Sequence, residues 1–334
     1  MAEFFASKQQ QNNQRIALAP LIPLDTPLSM QIELASACNF KCGFCMHHDD
    51  NIIRSGKMRI GCMSMETFHN TVEGLKRFPH KLKYITLQSR GESLLNKHII
   101  DMLHELKMAD VVEKIGLYTN GTLLTPEMSD GLIREGLDVL HISINGVTEE
   151  QYEKVTKTKV KVEELKKNVT YFYQNKKGTY LYTKMICYDM DEKDKDLFIR
   201  KFDGISDDIF IEEPVDAWKG AGIDISGLKK NRYKENVVSV QICPRIFFAC
   251  VVHFDGNVVA CDHDWSEQEV IGNVNKHSIS EIWKDEQFLR LRNMHLHGKA
   301  DTIERCKGCV SRTECLPKDN LDSLLIGEVK DETK

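Results

Sequence analysis

The sequence predicts an α/β fold: a partial (β/α)6 TIM-like barrel with a small C-terminal cysteine-rich domain built from a β-hairpin plus a helix. Three observations predict it. From Gln31 to about Glu213 short apolar, β-rich runs alternate with amphipathic stretches; after Glu213 glycines accumulate and the texture changes; and nine of the eleven cysteines fall into two groups, 38–45 and 243–315. Strand–helix alternation indicates βα units and a parallel sheet. Six such units are too few to close an eight-stranded barrel.

The candidate strands, in order, are 31–35, 84–88, 114–118, 139–144, 180–187 and 209–213. Between them the helical patterns are 64–78, 97–109, 126–135, 162–175 and 193–202. Ser64, followed by Glu66 and Thr67, makes a capped helix start, and Pro126 suits a first helical turn. Residues 214–237 hold Gly220, Gly222 and Gly227 and read as a linker. The runs 247–253 and 257–261 then flank Asp255-Gly256, a turn dipeptide that predicts a hairpin. A helix over 278–295 and a cysteine-rich loop over 306–315 follow, and the charged residues from Gly327 onward are expected to fray. The expected domains are therefore an N-terminal extension (1–28), the barrel (29–220), a linker (221–240), the cysteine-rich domain (241–325) and a tail (326–334).

Composition excludes several functions. The formal charge is −5 with 41% hydrophobic and 28% charged residues, so no basic excess points to nucleic acid or a membrane surface. No run is long enough to span a membrane, and the stretch up to Arg15 is too polar for a secretory signal. A cytoplasmic location is expected, and there so many cysteines imply metal or redox chemistry rather than disulfides.

The first group reads Cys38-Asn-Phe-Lys-Cys42-Gly-Phe-Cys45, directly after the first predicted strand, where a parallel barrel presents its functional loops. Three thiolates can hold three irons of a 4Fe–4S cluster and leave the fourth iron to a chelating cosubstrate. A ferredoxin-type site would follow its last cysteine with proline, and here Met46 follows. Zinc is the alternative, with His47 or His48 as the fourth ligand. Otherwise His47, His48, Asp49 and Asp50 read as a solvated loop.

On these residues the chain resembles the radical S-adenosylmethionine (SAM) superfamily, whose signature is Cys-x3-Cys-x2-Cys with an aromatic residue, here Phe44, before the last cysteine. The likeness continues after each later strand. Arg90-Gly91-Glu92-Ser93 resembles the family's Gly-Gly-Glu-Pro loop that holds the SAM amino group, with Arg90 for glycine and Ser93 for proline. Tyr118-Thr119-Asn120-Gly121 resembles its Thr-Asn-Gly segment. Ser143-Ile144-Asn145-Gly146 resembles the Ser-x-Asp-Gly stretch near the SAM ribose, with Asn145 for aspartate. Where an arginine often faces the SAM carboxylate, Thr156 or Lys157 stands instead. Each motif alone is an ordinary turn or cap; their order after four successive strands carries the resemblance. It implies a 4Fe–4S cluster on Cys38, Cys42 and Cys45, and SAM bound by Phe44, Gly91, Glu92, Thr119, Asn120, Ser143 and Asn145. It also implies reductive cleavage of SAM to methionine and a 5′-deoxyadenosyl radical that takes a hydrogen atom from substrate.

The second group is Cys243, Cys250, Cys261, Cys306, Cys309 and Cys315. A hairpin cysteine meeting a Cys-x2-Cys loop is compatible with a zinc ribbon. Gly256-x4-Cys261, Ile271-Gly272-Asn273-Val274, Glu281-Ile282-Trp283 and Cys306-x2-Cys309, with Trp218-x-Gly220 before them, resemble the SPASM/twitch extension of radical SAM proteins, which carries auxiliary clusters. The full seven-cysteine form is not matched, because Asp319 stands where a further cysteine belongs. The resemblance implies one auxiliary 4Fe–4S cluster on Cys243, Cys261, Cys306 and Cys309, with a degenerate second cluster on Cys315 and Asp319 as the alternative. Cys250 reads as a small hydrophobe in the hairpin.

The pattern is nearest to twitch-type radical SAM dehydrogenases. It implies a small polyol, aminocyclitol or sugar-type substrate oxidised through the auxiliary cluster, and a flavodoxin- or ferredoxin-type electron donor. Peptide modification and radical epimerisation are the alternatives; the intact Cys38, Cys42 and Cys45 argue against a non-catalytic scaffold. Cys62 and Cys187 read as lone buried thiols, but Cys187, ending the fifth strand, is also placed to donate a hydrogen atom to a substrate radical. Glu212 and Glu213, ending the sixth strand, are candidate polar contacts to substrate. Cys187 and Glu213 are thus the catalytic candidates.

Overall fold

A computed structural model describes residues 16–56, 58–212 and 235–326. Six parallel strands form the first part of the sheet: β1 (Ser29–Ile32), β2 (Leu82–Thr86), β3 (Val112–Thr119), β4 (Val139–Ile144), β5 (Tyr180–Ile186) and β6 (Asp208–Glu212). Each pairs with the next in sequence, so the order is 1-2-3-4-5-6, as six consecutive βα units require. Helices α1 (Asp50–Arg54), α2 (Met65–Leu75), α3 (Ile99–Ala109), α4 (Pro126–Arg134), α5 (Glu149–Thr156), α6 (Val162–Asn175) and α7 (Glu192–Phe202) fill the crossovers. Their apolar stripes explain the packing: α2 buries Phe68, Val72 and Leu75, and α6 buries Leu165, Val169 and Phe172, at helical spacing. Ser64 accepts the Thr67 N–H and Thr125 the Met128 N–H, and Pro126 sits in the first turn of α4, so these starts are the capped ones expected. Outward strand residues such as Met30, Ile32, Ile85, Leu117, Ile142 and Leu181 are essentially solvent-free. A sheet buried under helices demands such apolar residues.

The hairpin departs from a free-standing module. After the short helix α8 (Arg245–Phe248), strand β7 (Ala249–Val252) lies parallel to β1, and β8 (Asn257–Val259) and β9 (Val270–Asn273) follow antiparallel. Among the described residues the result is one nine-stranded sheet ordered 6-5-4-3-2-1-7-8-9. A partial barrel leaves the β1 edge with unpaired peptide groups, and β7 covers it; Glu33 N–H reaches the Val252 carbonyl at 2.8 Å. Gly256, with φ +88°, makes the turn that Asp255-Gly256 predicted.

Three local expectations change. The helix expected over 278–295 is two, α9 (Ile279–Trp283) and α10 (Glu286–Leu296), because Asp285 takes an extended conformation and its side chain caps the Gln287 N–H. Helix α5 was not expected, although Thr148 caps it and Glu149-Glu150 open it. His47 is buried (4% exposed) rather than solvated, and Asp49 caps α1. Most of the expected linker lies outside the described residues, as do Glu213 and Trp218-x-Gly220. Beyond it, Val238 bridges Cys315, and α11 (Val310–Thr313) closes the cysteine-rich loop.

Candidate active site

The loop carrying Cys38, Cys42 and Cys45 leaves β1 and is pinned by the loops after β2, β3 and β4. Gly91 packs so closely on the Ala35 and Ala37 carbonyl oxygens that any Cβ would overlap them, and Glu92 N–H donates to Ala37 at 2.8 Å. The buried Glu92 carboxylate accepts from Thr119 Oγ1 and Asn120 N–H, both at 2.7 Å, and from Leu94 N–H at 3.1 Å. Asn120 Nδ2 in turn donates to Asn39 Oδ1 at 2.7 Å, and Asn39 Nδ2 to Thr122 Oγ1 at 2.9 Å. On the other side Lys41 and Gly43 donate their N–H groups to the Thr156 and Val155 carbonyls at the end of α5, each at 2.9 Å. Phe40 meets Tyr152 edge-on at 6.1 Å and Phe44 meets Tyr188 at 5.3 Å. Asn145, also buried, donates its N–H to Tyr152 Oη at 3.3 Å.

The departures from the family motifs have local compensations. Ser93 Oγ donates to the Leu87 carbonyl at 2.6 Å and closes the turn that proline would stiffen. Thr156 Oγ1 is spent on the Tyr152 carbonyl at 2.7 Å, and Lys157 is an exposed left-handed residue (φ 56°).

Electrostatics at the three thiols is unfavourable for thiolates. Burial pushes Cys38 up to about 12, and the Glu92 and Cys45 charges add to the rise. Cys42 and Cys45 are raised by burial too, Cys42 further by both neighbours. Buried thiols that raise one another ionise together when a multiply charged cation sits among them, so this donor set fits an iron–sulfur cluster. Burial also raises the Glu92 carboxyl, partly offset by its three donors.

A second thiol set surrounds a small pocket: Cys243, Cys261, Cys306 and Cys309, with His263, Arg305 and Arg312 in the wall. Burial dominates here too and raises Cys243, with the Cys261 and Cys309 charges adding to the rise, but cationic neighbours oppose it. Burial raises Cys261 to about 12, yet Arg305 and Arg245 act against the rise; Arg305 and Arg312 do the same at Cys306. Burial would raise Cys309 as well, but the His263 imidazole, 3.9 Å from its Sγ, and the hydrogen bonds from Ser311 together outweigh it and hold the thiol at about 7. Arg305 Nη1 lies 3.6 Å from Cys261 Sγ. Among the described residues, Arg305 Nε and Nη2, Arg312 Nε and His295 Nε2 are buried without a hydrogen-bond partner. Burial and the two arginines hold His295 near 4, so it is neutral; Nδ1 accepts the Cys243 N–H at 3.2 Å and Nε2 carries the proton. Buried donors left unpaired around thiols fit a sulfide-bearing cluster, whose charge they would offset.

Between the two thiol sets runs a cleft of about 2180 Å³, its open mouth included. It extends from Met46, Ser89, Arg90 and Ser143 beside the first set to His263, Ser311, Cys315 and Asp319 beside the second. Its barrel wall is Ser29, Gln31, Thr86, Gln88, Tyr118 and Lys184, contributed by β1, β2, β3 and β5 and the loop after β2. A closed barrel would fill this space with branched apolar side chains; here the inward face of the strands is hydrogen-bonding. Lys184 Nζ donates to Glu212 Oε2 at 2.6 Å, with the two side chains 12% and 2% exposed, and sits 5.7 Å over the Tyr118 ring. Tyr118 stacks on His141 at 4.0 Å. At the β1 end of the wall, Arg245 Nη1 donates to Asp262 Oδ1 at 2.6 Å, and Gln31 Nε2 reaches Asp262 Oδ2 at 3.3 Å.

The structure thus gathers Cys38, Cys42 and Cys45 with Gly91, Glu92, Thr119 and Asn120, and separately Cys243, Cys261, Cys306 and Cys309. Ser143 lines the cleft, while Cys315 and Asp319 line it from the opposite side, apart from the four-cysteine pocket. Cys187 is half-buried against the core, its N–H on the Glu212 carbonyl. Cys250 is buried, and Cys62 is exposed rather than buried. Sequence reasoning missed Lys184, Arg245, Asp262 and Arg305; alternation along β5 places Lys184 inward, but only with the sheet's facing known.

A partial βα barrel thus carries three thiols on its first loop and four more around a separate pocket, with an open polar cleft between, and both donor sets fit iron–sulfur clusters. The superfamily itself follows from comparison. The model of the Radical SAM superfamily matches residues 32–197, and that of an iron–sulfur cluster-binding domain, SPASM, matches 243–310. The chain belongs to the radical SAM superfamily, with a C-terminal SPASM domain. It uses SAM, a SAM-binding 4Fe–4S cluster and auxiliary iron–sulfur chemistry. Among curated relatives, the tungsten-containing aldehyde ferredoxin oxidoreductase cofactor-modifying protein of Pyrococcus furiosus is 30% identical over 118 residues, 35% of this chain and 30% of that one. The SAM-dependent 2-deoxy-scyllo-inosamine dehydrogenase of Niallia circulans is 36% identical over 59 residues, 18% of this chain and 24% of the relative. The chain spans about a third or less of the length of these relatives. Among solved structures, BtrN in complex with AdoMet and 2-DOIA superposes with TM-score 0.55 at 18% identity, covering 84% of this chain and 92% of that one. Streptococcus suis SuiB bound to precursor peptide SuiA superposes with TM-score 0.64 at 12% identity, covering 82% and 69%. These two superpositions support the fold. Among the described residues no helix is long and apolar enough to cross a membrane.

Proposed function

We propose that the protein is an oxidoreductase that dehydrogenates a small polyol, aminocyclitol or sugar-type molecule held in the cleft between its two thiol sets. The observation that carries this reading is the hydrogen-bonding inner face of the barrel, Ser29, Gln31, Thr86, Gln88, Tyr118 and Lys184, opening onto both sites. Such a wall suits a ligand with many hydroxyls and orients it by convergent polar contacts. The short dehydrogenase relative agrees with it.

In this reading Cys38, Cys42 and Cys45 hold the SAM-binding cluster, and Cys243, Cys261, Cys306 and Cys309 hold one auxiliary cluster. Together with SAM they supply hydrogen-atom abstraction from substrate and an acceptor for the electron left behind. Phe44, Gly91, Glu92, Thr119, Asn120, Ser143 and Asn145 shape the SAM site. Glu92 acts chiefly by joining the loops after β2 and β3. Lys184, steadied by Glu212, donates to a substrate oxygen, and the Arg245–Asp262 pair orients the opposite end. Glu213, beside Glu212, is kept as a further polar contact. Reducing equivalents come from a flavodoxin- or ferredoxin-type donor. Cys187, three residues beyond Lys184, keeps its hydrogen-donor role only if the product is an epimer.

The test is anaerobic turnover of the reconstituted chain with SAM, dithionite and either 2-deoxy-scyllo-inosamine or myo-inositol, read by mass spectrometry. A product two mass units lighter, with one 5′-deoxyadenosine per product, supports the reading. Lys184→Met is expected to lower kcat/KM roughly 10–100-fold with substrate-free SAM cleavage unchanged. SAM cleavage that no polyol stimulates sinks the substrate class. A product of unchanged mass, lost in Cys187→Ala, replaces dehydrogenation with epimerisation.

A further inference from the structure

Arg90 occupies a loop position where the family pattern has glycine, and its side chain is 1% exposed. Burying a guanidinium without partners is costly, and this one has them. Nε donates to Glu33 Oε1 at 2.6 Å and Nη2 to Glu33 Oε2 at 2.7 Å, a bidentate pair. Nη1 donates to the Trp265 carbonyl at 2.8 Å and to Glu267 Oε1 at 3.1 Å. Four of its five N–H donors are therefore committed in fixed directions.

The partners lie on two parts of the fold. Glu33 follows β1 and leads into the Cys38 loop, and its Oε2 also lies 3.2 Å from His253 Nδ1 and accepts the Phe254 N–H at 3.3 Å. Trp265 and Glu267 lie between β8 and β9, on the segment that begins at Cys261. Glu267 is held in turn by Asn257 Nδ2 at 2.9 Å and by Arg59. Immediately after Arg90, Gly91 lies on the Ala35 and Ala37 carbonyls with no room for a side chain. A displacement of Arg90 is therefore passed to Gly91-Glu92 rather than absorbed.

We infer that Arg90 is a positioning residue that bolts the Gly91-Glu92 loop to the 261–267 segment, so that Glu267 of the SPASM domain sets how tightly the barrel holds SAM. This rests on the reading that the Gly91-Glu92 loop contacts SAM. The Glu33 pair alone would fix Arg90 within the barrel; the additional bonds to Trp265 and Glu267 make the SAM loop depend on the second domain.

The experiment uses the anaerobically reconstituted full chain. SAM affinity is read by titrating the electron paramagnetic resonance change of the reduced cluster, alongside iron content and thermal melting. Variants are Arg90→Gly, Arg90→Lys, Glu267→Gln and, for the loop itself, Gly91→Ala. Expected are about five- to twentyfold weaker SAM binding in Arg90→Gly and a smaller loss in Glu267→Gln, both with wild-type iron content, and partial recovery in Arg90→Lys. If Gly91→Ala weakens SAM binding while Glu267→Gln lowers only the melting temperature, the coupling is overturned and the clamp is structural. If Gly91→Ala leaves SAM affinity unchanged, the loop reading fails and the inference falls with it. Should Arg90→Gly not load iron, Glu267→Gln, which keeps every Arg90–Glu33 bond, decides alone.

Discussion

The two thiol sets differ in how they are built and in what surrounds them. The first is local: three cysteines within eight residues, on one loop, near a buried glutamate and with no arginine lowering the thiols. The second is assembled from three separated segments, and Arg245, Arg305, Arg312 and His263 act on its thiols. Reduction adds negative charge to a cluster. Surroundings that are cationic and rich in unpaired donors favour the reduced state and raise the potential; a carboxylate neighbour lowers it. In the proposed dehydrogenation, this contrast would make the second site the better electron acceptor.

The largest effect should come from removing one ligand of each set. Cys42→Ala is expected to abolish 5′-deoxyadenosine formation, whereas Cys261→Ala should keep substrate-free SAM cleavage and lose net substrate oxidation. Loss of SAM cleavage in both would break the division of labour. Next, Arg305→Met should shift the second cluster's midpoint to a more negative potential by about 50–100 mV and leave the first unchanged, as measured by redox titration. Equal shifts in both clusters would mean that the arginine acts through the fold instead.

The smallest effect concerns the join between the regions. Burial would raise the Glu33 carboxyl, but the Arg90 and His253 hydrogen bonds and charges hold it well below the usual carboxylate range. A group depressed in the folded state adds stability above its unfolded pKa and loses it as pH falls through the folded one. Glu33→Gln should therefore melt below wild type at pH 7, and the gap should narrow on acidification below about pH 4. A gap that stays constant with pH would show that the pair contributes by packing rather than charge.

Much of this was legible in the chain. The six strands lie within two or three residues of their expected positions because alternating inward and outward residues follow from strand geometry, and Thr125-Pro126 marks a helix start by local chemistry. The break at Asp285 was missed because Asp285 caps a new helix inside a continuous amphipathic stretch, and caps are weaker signals than periodicity. Lys184 was missed because a lone lysine on a strand is ordinarily a solvated one; its burial depends on Glu212, one strand away.

The sequence by itself determined the class of chemistry, since contiguous spacing brings Cys38, Cys42 and Cys45 together whatever the rest of the chain does. It also determined the parallel architecture, because periodicity is a local property. Only the tertiary structure decided that β7 continues the barrel's sheet, that Arg90 spans from Glu33 to Glu267, and that Cys315 lies apart from the four-cysteine pocket. Those placements depend on pairing across long stretches of chain, where edge coverage and buried charge, not spacing, choose the partner.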